Sequence, residues 1–284
     1  LEIVKEKEMT SLLKDKYIDC FVPTILLILI ALHLFSCEGN NLVHYKEDGT
    51  IDAEGALVND KKEGEWKFFD NQGNVEEISN WKNGAVDGIS NTFYENGQLK
   101  SKATWKMGLL HGLQQIWNEN GEILQEVNWK EDKKEGDFVS YYKDGIVSSE
   151  GYFRDDLEDG AFKVYYENGQ LSEESYCFDG RREGKAITYS PQGQVLSEGN
   201  YNSDSRSGIW HYYFKNGQPK ETCNWLEDLV NGPAEYFHPN GNLAEKGEFR
   251  NNLKEGLWQF YDSLGTLLRE STFSQDQCVA NCVE

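Results

Sequence analysis

The sequence predicts an all-β protein: an elongated, single, twisted antiparallel sheet made of tandem 24-residue β-hairpin repeats. Three observations support this prediction. Glycines recur every 24 residues in two parallel series, without one insertion or deletion. Aromatic residues follow the same period and form 13% of a chain that is only 38% hydrophobic. Proline is rare, with 5 residues against 27 glycines, which suits strands joined by tight turns.

Residues 1–36 are predicted to be a leader outside the repeats. Met9 is the expected start of translation, and a short basic region precedes an apolar run at residues 21–35. A membrane-spanning helix needs about 20 apolar residues, so this run has instead the length of a signal-peptide core. It ends in Leu34-Phe35-Ser36-Cys37, which resembles the processing site of bacterial lipoproteins.

This resemblance implies that Cys37 is a lipidation site and that residues 37–39 are a tether. We therefore expect the protein to be anchored on the exported face of a membrane of the bacterial envelope, without a spanning helix. An uncleaved anchor, or a secretory signal beside an unmodified cysteine, is the alternative interpretation of the segment. A cytoplasmic location is the alternative for the whole protein.

The repeat array is predicted to cover residues 40–279 as ten copies, followed by a tail at 280–284. Positions are counted from the first glycine of each copy as zero, and the first copy has Asn40 there. The position-zero glycines are Gly64, Gly88, Gly112, Gly136, Gly160, Gly184, Gly208, Gly232 and Gly256. The position-nine glycines are Gly49, Gly73, Gly97, Gly121, Gly145, Gly169, Gly193, Gly217, Gly241 and Gly265.

Each copy is expected to form a strand, a turn, a second strand and a return turn. Position eight is mostly Asn, Asp or Gln before the glycine, as in Asn168-Gly169, and this pair predicts a two-residue hairpin turn with positive φ. Such a turn places position fifteen, which is mostly small, opposite position two, which is often large, as in Trp66 and Trp210. Positions eleven, fifteen and seventeen are expected to share one face.

Two aromatic rows are expected either to cover the sheet, ring against ring between neighbouring repeats, or to bind a ligand. Position five is aromatic in every copy: Tyr45, Phe69, Phe93, Trp117, Tyr141, Tyr165, Tyr189, Tyr213, Phe237 and Tyr261. Position seventeen is aromatic in most copies, including Trp81, Trp105, Trp129, Tyr201 and Trp225.

Residues that could carry chemistry are scattered along the array. The histidines His44, His111, His211 and His238 occupy different repeat positions, so we expect no metal between them. Carboxylates recur at position fourteen as Glu126, Glu150, Glu174 and Glu198. Repeats advance about 10 Å each, so neighbouring carboxylates cannot share one Ca²⁺, whose ligands lie about 2.3–2.6 Å from it. We interpret this carboxylate ladder as a solvated acidic edge that blocks edge pairing or sheet stacking.

The cysteines of the array are interpreted as structural. Cys177 and Cys223 are too far apart along the repeats to pair and are expected to pack inside. Cys278 and Cys282 could form a disulfide in an oxidising compartment. The sequence contains no phosphate-binding loop or nucleophile motif, so we expect neither an enzyme nor a cofactor.

The formal net charge of −21 disfavours some partners. Binding to nucleic acid requires Lys and Arg to displace counterions, so we expect no nucleic-acid partner. The simplest role for the acidity is to keep an elongated sheet soluble.

The segments Trp81-Lys82-Asn83-Gly84-Ala85-Val86-Asp87-Gly88 and Trp105-Lys106-Met107-Gly108-Leu109-Leu110-His111-Gly112 resemble the MORN repeat, and more closely its bacterial variant. The resemblance extends over roughly residues 40–279. It implies tandem β-hairpins, and bacterial proteins of this variant alone are commonly grouped as the YwqK-type antitoxin family. MORN arrays elsewhere are associated with membranes, lipid kinases and protein scaffolding. The pair Cys177-Phe178 departs from the usual aromatic and basic pair.

Together these observations predict a non-catalytic, envelope-anchored repeat protein that offers an interaction or scaffolding surface to protein partners, with no small-molecule substrate. An antitoxin or immunity protein is one alternative, implied by the resemblance alone. A glycan-binding surface protein is another, because rows of exposed rings can stack on sugars.

Overall fold

The computed structural model describes residues 40–282, so the predicted leader, the tether and the lipidation site Cys37 lie outside the described residues. Within that range the chain forms one open antiparallel sheet of 23 strands, and the predicted fold class is confirmed. The strands are β1 (Asn40–Tyr45), β2 (Ile51–Val58), β3 (Lys61–Phe69), β4 (Val75–Lys82), β5 (Ala85–Phe93), β6 (Leu99–Lys106), β7 (Leu109–Trp117), β8 (Ile123–Lys130), β9 (Lys133–Tyr141), β10 (Val147–Arg154), β11 (Leu157–Glu158), β12 (Gly160–Tyr165), β13 (Leu171–Phe178), β14 (Arg181–Arg182), β15 (Gly184–Tyr189), β16 (Val195–Asn202), β17 (Ser205–Tyr213), β18 (Pro219–Leu226), β19 (Leu229–Phe237), β20 (Leu243–Arg250), β21 (Leu253–Tyr261), β22 (Leu267–Ser274) and β23 (Gln277–Ala280).

The hairpin turn inside each repeat has three residues, not the predicted two. In one copy the Gly97 amide donates to the carbonyl of Tyr94 at 2.8 Å, and the Tyr94 amide donates to the carbonyl of Gln98 at 2.9 Å. Gly97 has a φ of 80°, whereas Asn96 keeps a negative φ. This geometry is a type I turn followed by a glycine bulge. The two-residue prediction was wrong because Asn-Gly fits either turn.

A bulge at position twelve decides which face each side chain occupies. Phe68 pairs with Glu77, but the next residue, Phe69, pairs with Val75. Directly paired residues share a face and consecutive residues alternate. Position eleven therefore lies with position five, and the predicted grouping of position eleven with fifteen and seventeen is wrong. The bulge also restores the predicted pairing of positions two and fifteen, which is confirmed at Trp210 and Cys223.

The return turns between repeats contain two residues, both with positive φ. Asn83 and Gly84 have φ values of 52° and 84°, and Glu131 and Asp132 have 54° and 65°. These values define type I′ turns, the geometry that the sequence led us to expect within the repeat. The tight two-residue turn therefore occurs between copies and the bulged turn occurs within them.

One face of the sheet, here called the packed face, carries positions two, four, fifteen, seventeen and twenty-two. Trp66, Trp210 and Trp258 at position two are 3%, 4% and 0% exposed. Each indole donates its Nε1 hydrogen to a backbone carbonyl of the preceding repeat, as Trp210 does to Asn200 at 3.0 Å. Buried rings on this face, rather than a second layer, therefore form the core.

The buried rings require glycine in the preceding repeat. A Cβ added to Gly199 would overlap the ring of Trp210, and one added to Gly247 would overlap that of Trp258. Each glycine at position fifteen is followed, eleven residues later, by a large ring: Gly55 by Trp66, Gly151 by Phe162, Gly199 by Trp210 and Gly247 by Trp258. The residue at position fifteen of one repeat is thus matched in size to the ring at position two of the next, so the repeats are not interchangeable.

Candidate functional site

The opposite face, here called the open face, carries positions one, three, five, fourteen, sixteen, eighteen and twenty-one, and it is the candidate functional site. Tyrosines at position five donate their hydroxyls to glutamates at position fourteen of the preceding repeat. The pairs are Tyr141–Glu126 at 2.8 Å, Tyr165–Glu150 at 2.7 Å and Tyr213–Glu198 at 2.9 Å. The face therefore carries three phenol–carboxylate pairs, here called the Tyr–Glu ladder, whereas Tyr261 donates to Gln259 instead.

The protonation states of this ladder follow from its contacts. Burial, and then the hydrogen bond to the neighbouring carboxylate, raises the pKa of Tyr141 and of Tyr165 to about 12. The hydrogen bond from Tyr165 lowers the pKa of Glu150, and those from Lys185 and Tyr213 lower the pKa of Glu198. At neutral pH the phenols of Tyr141 and Tyr165 are therefore neutral hydrogen-bond donors.

The glutamates do not form the acidic edge that the sequence predicted. Glu126 pairs with Gln115 on one side and with Val139 on the other, so it lies in the middle of the sheet. The prediction of an edge was wrong because the strands run across the array, and a position near the strand centre faces outward without being an edge. The other predicted role, blocking the stacking of two sheets, stays a prediction. Over residues 40–282, no group of three or more His, Cys, Asp or Glu side chains is arranged to hold a metal ion.

The two predicted aromatic rows lie on opposite faces. Position five comes three residues after position two on the same strand, and consecutive residues alternate between faces, so the position-five row lies on the open face. The position-seventeen row lies on the packed face, where Trp81 contacts Phe68 with ring centroids 6.2 Å apart. Within the described range no ring of one row contacts a ring of the other, so the predicted packing of the rows against each other is wrong.

Cations at position twenty-two cover the rings of the packed face. Lys62 lies 4.3 Å from the ring centroid of Trp81, and Arg206 lies 3.5 Å from that of Trp225. Burial lowers the pKa of Lys62. Each of these cations occupies the face of a ring, so few ring faces of the packed face are left for a ligand.

The sequence analysis missed a series of aliphatic side chains on the open face. At position one, Ile89, Leu113, Ile209 and Leu257 are 41%, 41%, 56% and 52% exposed, and at position twenty-one Leu109, Leu157, Leu229 and Leu253 are also exposed. Position one precedes the buried ring at position two, so strict alternation could have placed it outside. These side chains give the open face a repeated apolar component.

Side chains along the hairpin-turn edge join each repeat to the next. Asn168 accepts from the amide of Gln170 at 3.0 Å and donates to the carbonyl of Pro191, in the following repeat, at 2.9 Å. The same pair of bonds occurs at Asn96, Asn216 and Asn240. These asparagine side chains form a series of hydrogen bonds from one copy to the next, here called the amide ladder, and this series supports the recurring shape of the turn.

The return-turn edge has a corresponding ladder. The carboxylate of Asp132 accepts from the amide of Leu110 at 2.7 Å, and the Asp132 amide donates to the carbonyl of Leu110 at 3.1 Å. Asp156, Asp204 and Asp276 repeat this exchange along the edge. Both edges thus hold the open face in a fixed shape.

The cysteines of the described residues are structural in position. Cys177 and Cys223 are 3% and 0% exposed, and burial raises the pKa of each thiol to about 12. Cys278 and Cys282 are joined by a disulfide in the structure, with Cα atoms 5.8 Å apart. Its formation in the protein as expressed stays a prediction that mass spectrometry without reductant can check.

Three of the four histidines of the array make separate local contacts. His44 bonds Asp52 at 3.0 Å, His211 bonds Thr222 at 3.2 Å, and His238 bonds the carbonyl of Tyr261 at 3.0 Å.

Considering residues 40–282 alone, the structure contains no helix of the length and apolarity that crossing a bilayer requires.

Comparison with known proteins identifies the repeat. The profile of a family described as MORN repeat variant matches residues 62–83, 86–107, 110–131, 134–155, 158–178, 182–203, 230–251 and 254–275, together more than half of the chain. These are eight stretches against the ten copies predicted, although β17 and β18 form the same hairpin in the interval between the matched stretches 182–203 and 230–251. No curated protein matches the chain.

Solved structures with some likeness to this chain include two whose titles name TccC3. The TcdB2-TccC3-Cdc42 structure is 10% identical, with a TM-score of 0.19, over 82% of this chain and 16% of that one. The Photorhabdus luminescens Tc holotoxin pore is 11% identical, with a TM-score of 0.20, over 80% and 15%. The chain thus spans about a sixth of their length, and superpositions this poor say nothing about what it binds.

Proposed function

Because the chain belongs to the MORN repeat variant family, we propose that it is a non-catalytic interaction protein, held at the bacterial envelope, whose open face docks or scaffolds protein partners. Repeats of this family generally mediate interactions with proteins or membranes, and the net charge of −21 disfavours anionic lipid headgroups as the surface bound by the array itself. A protein partner is therefore the better fit.

The observation that carries this proposal is the exposed aliphatic series of the open face. Ile209 and Leu257 are more than half exposed, and equivalent positions repeat along the sheet. Extended exposed apolar surface with polar surroundings marks interaction sites in soluble proteins. The Tyr–Glu ladder beside the series adds hydrogen-bonding groups at a fixed spacing, which favours a specific partner.

The anchoring part of the proposal comes from the sequence Leu34-Phe35-Ser36-Cys37. Cells that express the wild type or Cys37→Ala would be fed a labelled fatty acid, and the protein would be partitioned into detergent. We expect label and detergent partitioning only in the wild type. Equal labelling of both forms would eliminate the lipid anchor and leave the interaction role to be tested separately.

The interaction role is tested by cross-linking in intact envelopes followed by mass spectrometry. We expect the wild type to capture defined proteins, and Ile209→Asn/Leu257→Asn to lose some of them. The matched control is Leu264→Asn/Leu268→Asn, which removes two leucines that lie outside the series and are even more exposed. If both double variants capture the same set as the wild type, the aliphatic series is not the docking surface.

A further inference from the structure

Two adjacent repeats depart from the rest of the open face at one place. At position sixteen, the side chains of Asn80, Thr104, Asn128 and Asn224 donate to backbone carbonyls of the neighbouring strand. Tyr152 and Tyr176 replace them in the repeats that begin at Gly136 and Gly160. Phe178 stands at position eighteen, where several copies have Lys or Arg, so three rings are introduced together.

The backbone changes at the same positions. The amide of Asp159 donates to the carbonyl of Tyr152 at 2.9 Å, and the amide of Glu183 donates to that of Tyr176 at 2.8 Å. Asp159 and Glu183 lie outside the strands, so β11 and β14 are separate two-residue strands, whereas the corresponding strand is continuous in the other described repeats. In these two repeats the sequence and the strand pattern therefore deviate at the same positions.

The three rings are exposed and uncovered. Tyr152, Tyr176 and Phe178 are 36%, 49% and 61% exposed. Within residues 40–282, none of them lies against another ring or a cation, whereas on the packed face Arg182 lies 4.1 Å from the ring of Tyr201. Their faces are available to a partner.

The rings belong to one surface, here called the aromatic patch and defined as Tyr152, Tyr176 and Phe178. Tyr176 pairs directly with Ala161, whose small side chain leaves a depression beside the ring. The depression is a shallow cavity of about 540 Å³, lined also by Glu174 and Lys185. It provides room for an inserted side chain next to an exposed phenol.

The charge around the aromatic patch favours a basic partner. Residues 150–185 contain ten acidic and five basic side chains, in a chain of net charge −21. Glu174, beside the cavity, has no hydrogen-bond partner that the described side chains provide, unlike Glu150 with Tyr165 and Lys163. A free carboxylate beside uncovered rings is the arrangement that binds an Arg or Lys side chain.

We propose that the aromatic patch is the docking site for a basic segment of a protein partner, whose Arg or Lys side chains lie over the tyrosine rings and pair with Glu174. This inference rests on the proposed function and adds to the aliphatic series a specific contact for a basic segment. Tyrosine and arginine dominate the binding energy of many interfaces, and the acidic surroundings would steer a basic segment toward the rings.

The test uses the full chain and a fluorescein-labelled synthetic decapeptide of alternating Arg and Leu, with binding followed by anisotropy. The test variant is Tyr152→Asn/Tyr176→Asn/Phe178→Asn, which leaves the charge unchanged and places Asn where Asn128 and Asn202 occur in other repeats. The matched control is Met107→Asn/Leu264→Asn/Leu268→Asn, which removes three exposed apolar side chains elsewhere. Circular dichroism and melting temperature confirm that both variants fold.

We expect the test variant to bind the peptide at least tenfold more weakly and the control less than twofold more weakly. A peptide with Glu in place of Arg should not bind. Equal weakening in both variants, or no binding by the wild type, would overturn the proposal. A glycan-array signal lost in the test variant, with no peptide binding, would assign the patch to a sugar instead.

The envelope cross-linking experiment separates this inference from the proposed function. If the test variant captures the same proteins as the wild type, the aromatic patch is not the docking site, although the interaction role stands. If the wild type captures nothing above a tag-only control, the interaction role itself fails.

Discussion

The packed face and the open face both carry a row of aromatic rings, but the two rows have different roles. On the packed face, Trp258 is fully buried, contacts the rings of Phe249 and Phe273, and lies under Lys254. On the open face, Tyr165 is half-buried and uses its hydroxyl to bond Glu150. One row provides apolar burial, and the other presents polar groups at fixed spacing.

This contrast shows how a single-layer sheet can be stable and still offer a surface. Three or more strands with a covered face are needed for stability, and here rings, small residues and lysine stems of the packed face cover each other. The open face is therefore not needed for the core. Substitutions on the two faces should separate stability from binding.

The largest expected difference between the faces comes from removing a ring. Trp258→Ala should lower the free energy of unfolding by about 3–5 kcal/mol, because the ring is fully buried. Trp117→Ala, on the half-buried row of the open face, should cost clearly less. Hydrogen exchange should show protection lost mainly in β20–β22 for Trp258→Ala. Uniform loss from residue 40 to 279 would mean one cooperative globule instead of a locally stabilised array.

The size match on the packed face predicts the next largest effect. Gly199→Ala should destabilise by about 1–3 kcal/mol, because the new methyl group overlaps the ring of Trp210. Urea unfolding of Gly199→Ala, Trp210→Leu and the double variant would measure the coupling. We expect the double variant to lose less than the sum of the single losses. Strict additivity would show that the glycine is not required by the ring.

The amide ladder at the hairpin-turn edge predicts a moderate effect that is independent of either face. Asn168→Ala should cost about 1–2 kcal/mol, because it removes one bond within the turn and one to the next repeat. Gln72→Ala is the matched control at position eight and should change stability by less than about 0.5 kcal/mol. Thermal melts of the two variants would measure this difference. Equal losses of stability in Asn168→Ala and Gln72→Ala would contradict a stabilising role for the amide ladder.

The smallest effect is expected on the open face. Tyr165→Phe removes one partly exposed hydrogen bond and should cost less than about 1 kcal/mol at neutral pH. The pKa of Tyr165 is about 12 in the folded protein, above the unfolded value of about 10. Its contribution is therefore present below pH 10 and is lost as the pH rises toward 12. Stability measured from pH 8 to 12 should fall less steeply in Tyr165→Phe than in the wild type.

The periodic features of the molecule could be predicted from the sequence, whereas features that depend on neighbouring copies could not. The fold and the pairing of Trp66 with Ser79 follow from regular spacing. No particular residue type marks the bulge at position twelve, so Val75 was assigned to the wrong face. The match of Gly199 with Trp210 was visible only when two copies are compared across their boundary. The aromatic patch had one signal, the departure at Cys177-Phe178, whose meaning needed the backbone.

The match between Gly199 and Trp210 also bears on how such a chain can grow or shrink over evolutionary time. A duplicated or deleted block of 24 residues keeps every strand in register wherever it begins. A block that begins at the position-zero glycine, however, separates a large ring from the glycine eleven residues before it. A block that begins at position fifteen contains both the glycine and the large ring. The heritable unit of this array is therefore offset from the hairpin, and gains or losses of copies should have breakpoints in the second strand.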